Sequence, residues 1–597
     1  MESVTDSIKK LRDLMAKEGI DYYVIPTADF HQSEYVGEHF KARKFITGFT
    51  GSAGTAVISQ KEAGLWTDGR YFIQAANQIK GTPVTLFKMG EPEVPTIPAF
   101  LRENLKAGET IGFDGRVVAM SDGLEYESIA REKDGKIVSD KDLINEVWTD
   151  RPPLSEEKAF ALEEKYTGES VASKLQRIRQ VMTEKGADVH VLNTLDDICW
   201  TLNIRGNDID FFPLVLTYAI ITRETMDLYI NEEKLSEAMK ADLLKDGVHT
   251  HPYDSFYDDL GKISAQSKVM IDPVKVNYRT YNCIPPKATK IKTSNPEIIF
   301  KAMKNETEIK NIREAQIKDS ICHVKFMKWI KENYDKTTIT ELSASAKLDE
   351  LREAMDNYIR PSFAPICAYG PHSASPHYES SPETDVPLEE GNFFLTDTGA
   401  GFMEGSTDIT RTYAIGEVSD DKKEHFTLVA ISNLQLASGK FLYGSTGMVL
   451  DILSRKPFWD RDLNFNHGTG HGVGYLLNIH EGPAGFRWTF RDHESHQIEE
   501  GMILTDEPGL YFEGSHGVRL ENELLARKGT KNEYGQFMYF EPITYVPMDL
   551  DAIKPEIMSA EDKKLLNDYH ATVFEKIAPY LNEEEVEWLK KYTREIN

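Results

Sequence analysis

The 597-residue chain holds only four cysteines, Cys199, Cys283, Cys322 and Cys367, and no two of them form a CxxC pair. That scarcity excludes a disulfide framework and a thiolate metal site, and it fits a reducing, cytoplasmic setting. Long apolar runs are missing as well. The longest, near residues 211–221, is too short to span a bilayer, and the opening MESVTDSIKKLRDLMAKEGIDYYVIP lacks the basic segment and apolar core of a secretory signal. Basic residues are the minority: 69 Lys and Arg against 97 Asp and Glu leave a net charge of −28. Such a surface repels phosphate backbones and anionic lipids, so neither nucleic acid nor membrane is an expected partner. There is no GxSxG nucleophile elbow. The glycine-rich GSAG at residues 51–54 lacks both the phosphate-loop lysine and the dinucleotide fingerprint, and reads as a tight turn between strands.

What remains is an ordinary globular composition, 40% hydrophobic and 28% charged, in a chain too long for one core. Its length suggests roughly three or four domains. An internal echo gives the organisation: LRDLMAKEGIDYYVIPT from Leu11 is repeated as IRQVMTEKGADVHVLNT from Ile178, an offset of 167 residues. Each copy has apolar residues three and four apart, a glycine stop at Gly19 or Gly186, and then a β-branched run, which predicts helix followed by strand. Two homologous α/β domains follow, residues 1–155 and 156–304, with Pro152 and Pro153 at the hand-over. Asn305 and Glu308 in KNETEI predict a capped helix running through Trp329 and opening a third domain, 305–548. Residues 549–597 are acidic and helical, with a second capping pair at Asn582 and Glu585. The fold class is α/β in the broad sense, shading into α+β.

The chemistry concentrates in the third domain. Asp397 closes the apolar run FFLTD, and Asp408 begins TDITRTY, whose alternation puts Asp408, Thr410 and Thr412 on one side; a hairpin would bring the two carboxylates together. In HGTGHGVG, His467 and His471 are four apart, but the glycines carry a helix penalty of roughly 1 kcal/mol each, so the segment reads as extended chain with both histidines on one face. Glu507 lies in TDEPG, and VRLENE places Arg519, Glu521 and Glu523 on one strand face. Four carboxylates and one imidazole balance two divalent cations, and such a donor set suits Mn²⁺ before Zn²⁺. Cys322 and Cys367 read as packing residues.

Taken together these phrases resemble the peptidase family with the pita-bread fold, which includes methionine aminopeptidase, prolidase, creatinase and aminopeptidase P. The order Asp, Asp, His, Glu, Glu is that family's ligand order. GFTGSAGTAVI, LWTDGRYFIQA, WTDRP, KNETEI, HGTGHGVG, HEGP and DEPG are most similar to its long, three-domain, cytosolic Xaa-Pro aminopeptidases, over nearly the whole chain. The resemblance implies creatinase-like N-terminal domains, a pita-bread catalytic domain with a helical extension, and two divalent ions per subunit, Mn²⁺ first with Co²⁺ or Zn²⁺ as substitutes. Asp397 would chelate one ion, Asp408 and Glu521 would bridge both, and His471 and Glu507 would complete the other sphere. His377, His467 and His480 match substrate-binding positions, Arg70 matches an arginine reaching in from the N-terminal domain, and Arg519 one that supports a bridging acid.

The implied reaction is hydrolysis of the Xaa-Pro bond at the N-terminus of short peptides by a hydroxide shared between the ions, with Glu507 taking and returning the proton, in a cytoplasmic homodimer. A dipeptide-only prolidase of the same fold, or a pita-bread binding module without activity, are the alternatives. One stretch departs from the subgroup's pattern: the segment between YGPHSASPHYESSP and the first Asp, near His377, has an unusual content of Ser and Pro.

Overall fold

Ser3 accepts a hydrogen bond from the Asp6 amide and starts the helix Val4–Glu18; Gly19, at φ 67°, ends it. Only glycine enters that left-handed conformation at little cost, which is why the stop signal was readable. The repeat behaves in the same way: Ser170 caps Val171–Lys185 and Gly186, at φ 66°, closes it. These helices belong to a computed structural model that describes residues 3–491 and 494–597.

The chain divides into two compact units. The first, residues 1–162 with 169–297, contains two six-stranded sheets. One runs in the order Thr85–Lys88, Ala63–Thr67, Thr55–Ser59, Tyr22–Pro26, Thr110–Phe113, Lys136–Val138. The other repeats that order with Val248–Pro252, Met226–Ile230, Thr217–Thr222, Val189–Leu192, Lys268–Ile271 and Thr289–Lys292. In each sheet the strand after the echoing helix is central, antiparallel to one neighbour and parallel to the other. The echo in sequence is therefore an echo in topology. GSAG differs from expectation: it links the helix Ala42–Thr47 to the strand Thr55–Ser59, so it is a helix-to-strand turn.

The second unit, residues 163–168 with 298–597, opens on the helix Glu306–Asn333. Asn305 and Glu308 form a complete capping box, and the helix continues one turn beyond Trp329. A six-stranded sheet orders Lys440–Leu442, Gly535–Pro542, Asn522–Asn532, Ile503–Asp506, Gly470–Val473 and His480–Phe486. A three-stranded sheet orders Ile366–Tyr369, Asn392–Thr398 and Ile409–Ile415. The helix Asp420–Ala437 packs on the helices Gly447–Trp459 and Ala560–Ile577. Phe426 and Val429 of the first, Leu566, Val573 and Ile577 of the last, and Leu589 of the helix Glu583–Tyr592 share one buried cluster. Each such aliphatic side chain stabilises the packed state by about 2 kcal/mol, which holds the C-terminal helices to the unit. Asn582 and Glu585 form the second capping box, at the start of Glu583–Tyr592. Among the described residues no helix is long and apolar enough to cross a membrane.

Candidate metal centre

Asp397 sits near the end of the strand Asn392–Thr398, directly opposite Thr410 of Ile409–Ile415. Asp408 immediately precedes that second strand, so pairing brings the two carboxylates side by side. The excursion between them is longer than a simple turn, because the short strands Ala400–Phe402 and Gly405–Ser406 form a hairpin of their own within it. His471 lies in Gly470–Val473, Glu507 follows Ile503–Asp506 directly, and Glu521 stands in the two-residue link before Asn522–Asn532.

The glycines of HGTGHGVG have a steric reason. A Cβ on Gly470 would lie 1.8 Å from the Thr505 carbonyl oxygen, and one on Gly472 would lie 2.3 Å from that of Glu481. Neighbouring strands could not close on this segment if it carried side chains there. His467 differs from the strand-face expectation, since it lies before the strand and only His471 within it.

Donor atoms of Asp408, His471 and Glu521 lie within 4.8 Å of one another. His471 Nδ1 donates to the Gly472 carbonyl at 2.8 Å, which turns Nε2 toward Asp408 Oδ2 at 3.5 Å and Glu507 Oε1 at 3.7 Å. Thr410 Oγ1 donates to Glu521 Oε2 at 2.7 Å, and the Glu521 amide donates to the Thr410 carbonyl at 3.0 Å. Glu523, on the same stretch, accepts from the Asp408 amide at 2.8 Å. Asp408 and Glu521 are 4% and 1% exposed, which excludes a surface salt bridge as their role.

Arg519 reaches two of the acids: Nη2 donates to Asp397 Oδ2 at 2.6 Å, and Nε donates at 3.3 Å to Thr410 Oγ1, which itself donates to Glu521 Oε2. The strand face that Arg519 was expected to share is broken, because Glu521 falls in the link between His516–Arg519 and Asn522–Asn532.

Burial raises the pKa of Asp397, Glu507 and Glu521 above the ordinary carboxyl range, and the neighbouring carboxylates push all three further in that direction, while Arg519 pulls Asp397 and Glu507 partly back. Burial works against protonating His471, but the hydrogen bond to Asp408 and the charges of Glu507 and Asp408 outweigh it and lift its pKa to about 9. The arrangement has a deficit of positive charge. Asp397 Oδ1 is buried without a hydrogen-bond partner. An oxygen-rich donor set with one imidazole, mutual repulsion among its acids and an orphaned buried carboxylate oxygen fits two divalent cations.

The histidines outside the ligand set lie around this centre. His480 opens the strand His480–Phe486, and its ring meets that of His471 edge-on at 4.3 Å. His467 Nδ1 donates to the Gly468 carbonyl at 2.7 Å, and its Nε2 accepts from the Tyr511 hydroxyl at 2.8 Å. Burial and the adjacent Arg519 push its pKa down to about 3, so it is a neutral imidazole. His377 lies on a loop tied to the centre where Arg519 Nη2 donates to the Pro376 carbonyl at 3.2 Å. Buried Glu341 holds the same loop by accepting from the Tyr369 amide, His372 Nδ1 and the Tyr378 hydroxyl at 2.7, 2.9 and 2.9 Å. Arg70 belongs to the first unit and donates from Nε and Nη2 to the two oxygens of Asp68, both at 2.8 Å.

Several supporting residues were not foreseen. Tyr511 accepts from Arg519 Nη1 at 2.6 Å and joins it to His467. Asp319 accepts from Arg352 Nε at 2.7 Å and from Thr407 Oγ1 at 2.6 Å, while Arg352 also donates to Thr398 Oγ1 at 3.1 Å. Thr407 and Thr398 adjoin Asp408 and Asp397, so this buried pair braces both aspartates from behind. The only signal for Tyr511 was its alternation with Gly509 after the Glu507 turn; Asp319 and Arg352 lie on helices far away in sequence and gave none.

Four family patterns match in sequence: the creatinase/prolidase N-terminal domain at residues 7–147 and again, in a second form, at 150–308, metallopeptidase family M24 at 310–528, and the C-terminal region of peptidase M24 at 536–596. The chain is 34% identical to the probable Xaa-Pro aminopeptidase P of Talaromyces marneffei, over 100% of this chain and 93% of the relative. It is 35% identical to that of Paracoccidioides brasiliensis, over 100% of both. Its fold superposes on the X-prolyl aminopeptidase from Caenorhabditis elegans, described as a cytosolic enzyme with a di-nuclear active site, with a TM-score of 0.95 and 32% identity over 100% of both chains. The second unit thus has the pita-bread fold, and the chain belongs to metallopeptidase family M24, among its full-length Xaa-Pro aminopeptidases.

Proposed function

We propose that the protein is an aminopeptidase that removes the first residue from short peptides with proline in second position, and that Asp397, Asp408, His471, Glu507 and Glu521 hold two divalent cations, Mn²⁺ in the first place. The convergence of Asp408, His471 and Glu521 donor atoms within 4.8 Å carries the reading, supported by relatives of that name matching over the full chain. Bound there, the cations would polarise the scissile carbonyl and lower the pKa of water. In this reading Asp397 would serve one cation, Asp408 and Glu521 would serve both, and His471 with Glu507 would complete the second set.

Glu507, a carboxylate beside the proposed cations, is assigned to accept the proton of the attacking water and return it to the proline nitrogen. His480 and His377 are assigned to hydrogen-bond the carbonyl oxygen as it gains charge, a role worth about 3 kcal/mol in comparable sites. His467 faces the proline side. A proline amide has no N–H to recognise, so shape and the peptide's N-terminal amine must supply selectivity, and the acidic centre favours that cation. Arg70, held by Asp68, is assigned to the carboxylate of a short substrate. Protein stripped of ions and reloaded with Mn²⁺ should release the first residue of a tripeptide with proline second; turnover confined to Xaa-Pro dipeptides would favour the prolidase reading.

A homodimer is part of the proposal. The helix Gly447–Trp459 leaves Val449, Ile452 and Trp459 59%, 44% and 42% exposed, an apolar face that a second copy could cover. Replacing Val449 and Trp459 together by glutamate should turn a dimer into a monomer in analytical ultracentrifugation; an unchanged mass would place the contact elsewhere. A cytoplasmic setting is supported by the description of the nematode enzyme as cytosolic.

A further inference from the structure

Arg411 lies on the strand that follows Asp408 and is wholly buried. Its Nη1 donates to the carbonyls of Thr410 at 2.8 Å and Glu521 at 2.6 Å. Nη2 donates to Asn522 Oδ1 at 2.7 Å, the Val546 carbonyl at 2.8 Å and the Tyr569 hydroxyl at 2.8 Å, and Nε donates to the Pro547 carbonyl at 3.3 Å. Among the described residues no carboxylate pairs with it. A buried guanidinium ordinarily takes an acid as partner; this one spans three chain segments through carbonyls, an amide and a phenol. One prong fixes the backbone of Glu521, and the opposite prong ends on the C-terminal helix Ala560–Ile577.

Tyr569 is itself pinned. Besides accepting from Arg411, its hydroxyl has the Val546 carbonyl at 2.7 Å as its nearest acceptor. On the next residue, His570 Nε2 accepts from the Met548 amide at 3.1 Å. The extension therefore grips residues 546–548 and Arg411 together, and Arg411 grips the residue whose carboxylate meets Asp408 and His471.

We propose that the C-terminal extension is a working part of the metal centre, with Tyr569 and Arg411 as positioning residues that act in series to hold Glu521. This rests on the assignment of Glu521 as a ligand. It gives the extension a task beyond covering apolar surface: its docking sets the place of a bridging acid.

The test compares Tyr569→Phe with Tyr592→Phe. Tyr592 lies on the other helix of the extension, 2% exposed, and donates to Asp551 Oδ2 at 2.9 Å, away from Arg411. Tyr592→Phe loses one part-buried hydroxyl contact and Tyr569→Phe several buried ones, so the melts report the structural cost of each, and a positioning role is read from Mn²⁺ affinity and the resonance spectrum. Mn²⁺ affinity of chelated full-length protein is read by calorimetry, the bound ions by electron paramagnetic resonance, and folding by thermal melting. Tyr569→Phe should weaken Mn²⁺ binding about tenfold, the scale of a lost supporting contact at a metal site, and alter the resonance spectrum, while Tyr592→Phe binds within about twofold of wild type. In an Arg411→Lys background the further loss from Tyr569→Phe should shrink below about twofold, since the two act in one chain. Wild-type affinity in Tyr569→Phe, or an equal loss in Tyr592→Phe, would overturn the proposal. A wild-type protein that takes up no Mn²⁺ would instead overturn the metal assignment itself, and this proposal with it.

Discussion

Glu521→Ala is expected to abolish metal uptake and Xaa-Pro cleavage together. The carboxylate is 1% exposed, within 4.8 Å of donors on Asp408 and His471, and is aimed by Thr410 Oγ1 at 2.7 Å. On the proposed assignment it is a donor shared by both cations, so neither would keep its full set. Even outer-shell changes cost metal sites about 10–100-fold in affinity, and loss of a direct ligand should exceed that. Folding should survive, because the alanine relieves repulsion with Asp408, Glu507 and Asp397, which offsets the hydrogen bond that Thr410 loses, on the order of 1–3 kcal/mol. Metal analysis, circular dichroism and a proline-peptide assay on the same preparation decide the matter. A folded variant that still turns over the peptide would sink the catalytic assignment.

The proposed ligand set could be picked out because its residues lie at strand ends, where local alternation and glycine content announce geometry. Asp397 opposite Thr410 follows from two apolar runs in register, and Gly470 and Gly472 mark where strands close to within a Cβ's radius. The echoing helix-and-strand pairs were equally local, since cap, stop and periodicity all lie within about twenty residues of chain. What stayed hidden was long-range. The resemblance gave Arg519 to a bridging acid; its guanidinium also reaches Asp397, 122 residues away, a contact that alternation along its own strand does not announce. Tyr511 and the Asp319–Arg352 pair act through contacts that no periodicity encodes. A buried arginine bonded to carbonyls, such as Arg411, has no sequence signature, because its partners are backbone atoms present at every residue.

Protein stripped of its ions by chelation is expected to become more stable as the pH falls from about 9 towards 6, opposite to the usual trend for a protein rich in depressed carboxylates. Two kinds of group act in the same direction. His471, with a folded pKa of about 9 against an ordinary value of 6.5, contributes stability that is fully present below the unfolded value and is lost as the pH rises through 9. Across that window the difference is worth about 3 kcal/mol. Asp397, Glu507 and Glu521 have folded pKa values raised above the ordinary range, so the native state binds protons that the unfolded chain has released, and ionising them at higher pH weakens the fold. Cations bound to the same atoms displace these protons, so reloading with Mn²⁺ should raise the melting temperature most at pH 8–9 and progressively less on acidification. Thermal melts of chelated and reloaded protein from pH 5.5 to 9 measure both slopes. A chelated protein whose melting temperature climbs with pH would show that its acids are neutralised from elsewhere, and that the charge deficit at Asp408, His471 and Glu521 is not the one the cations fill.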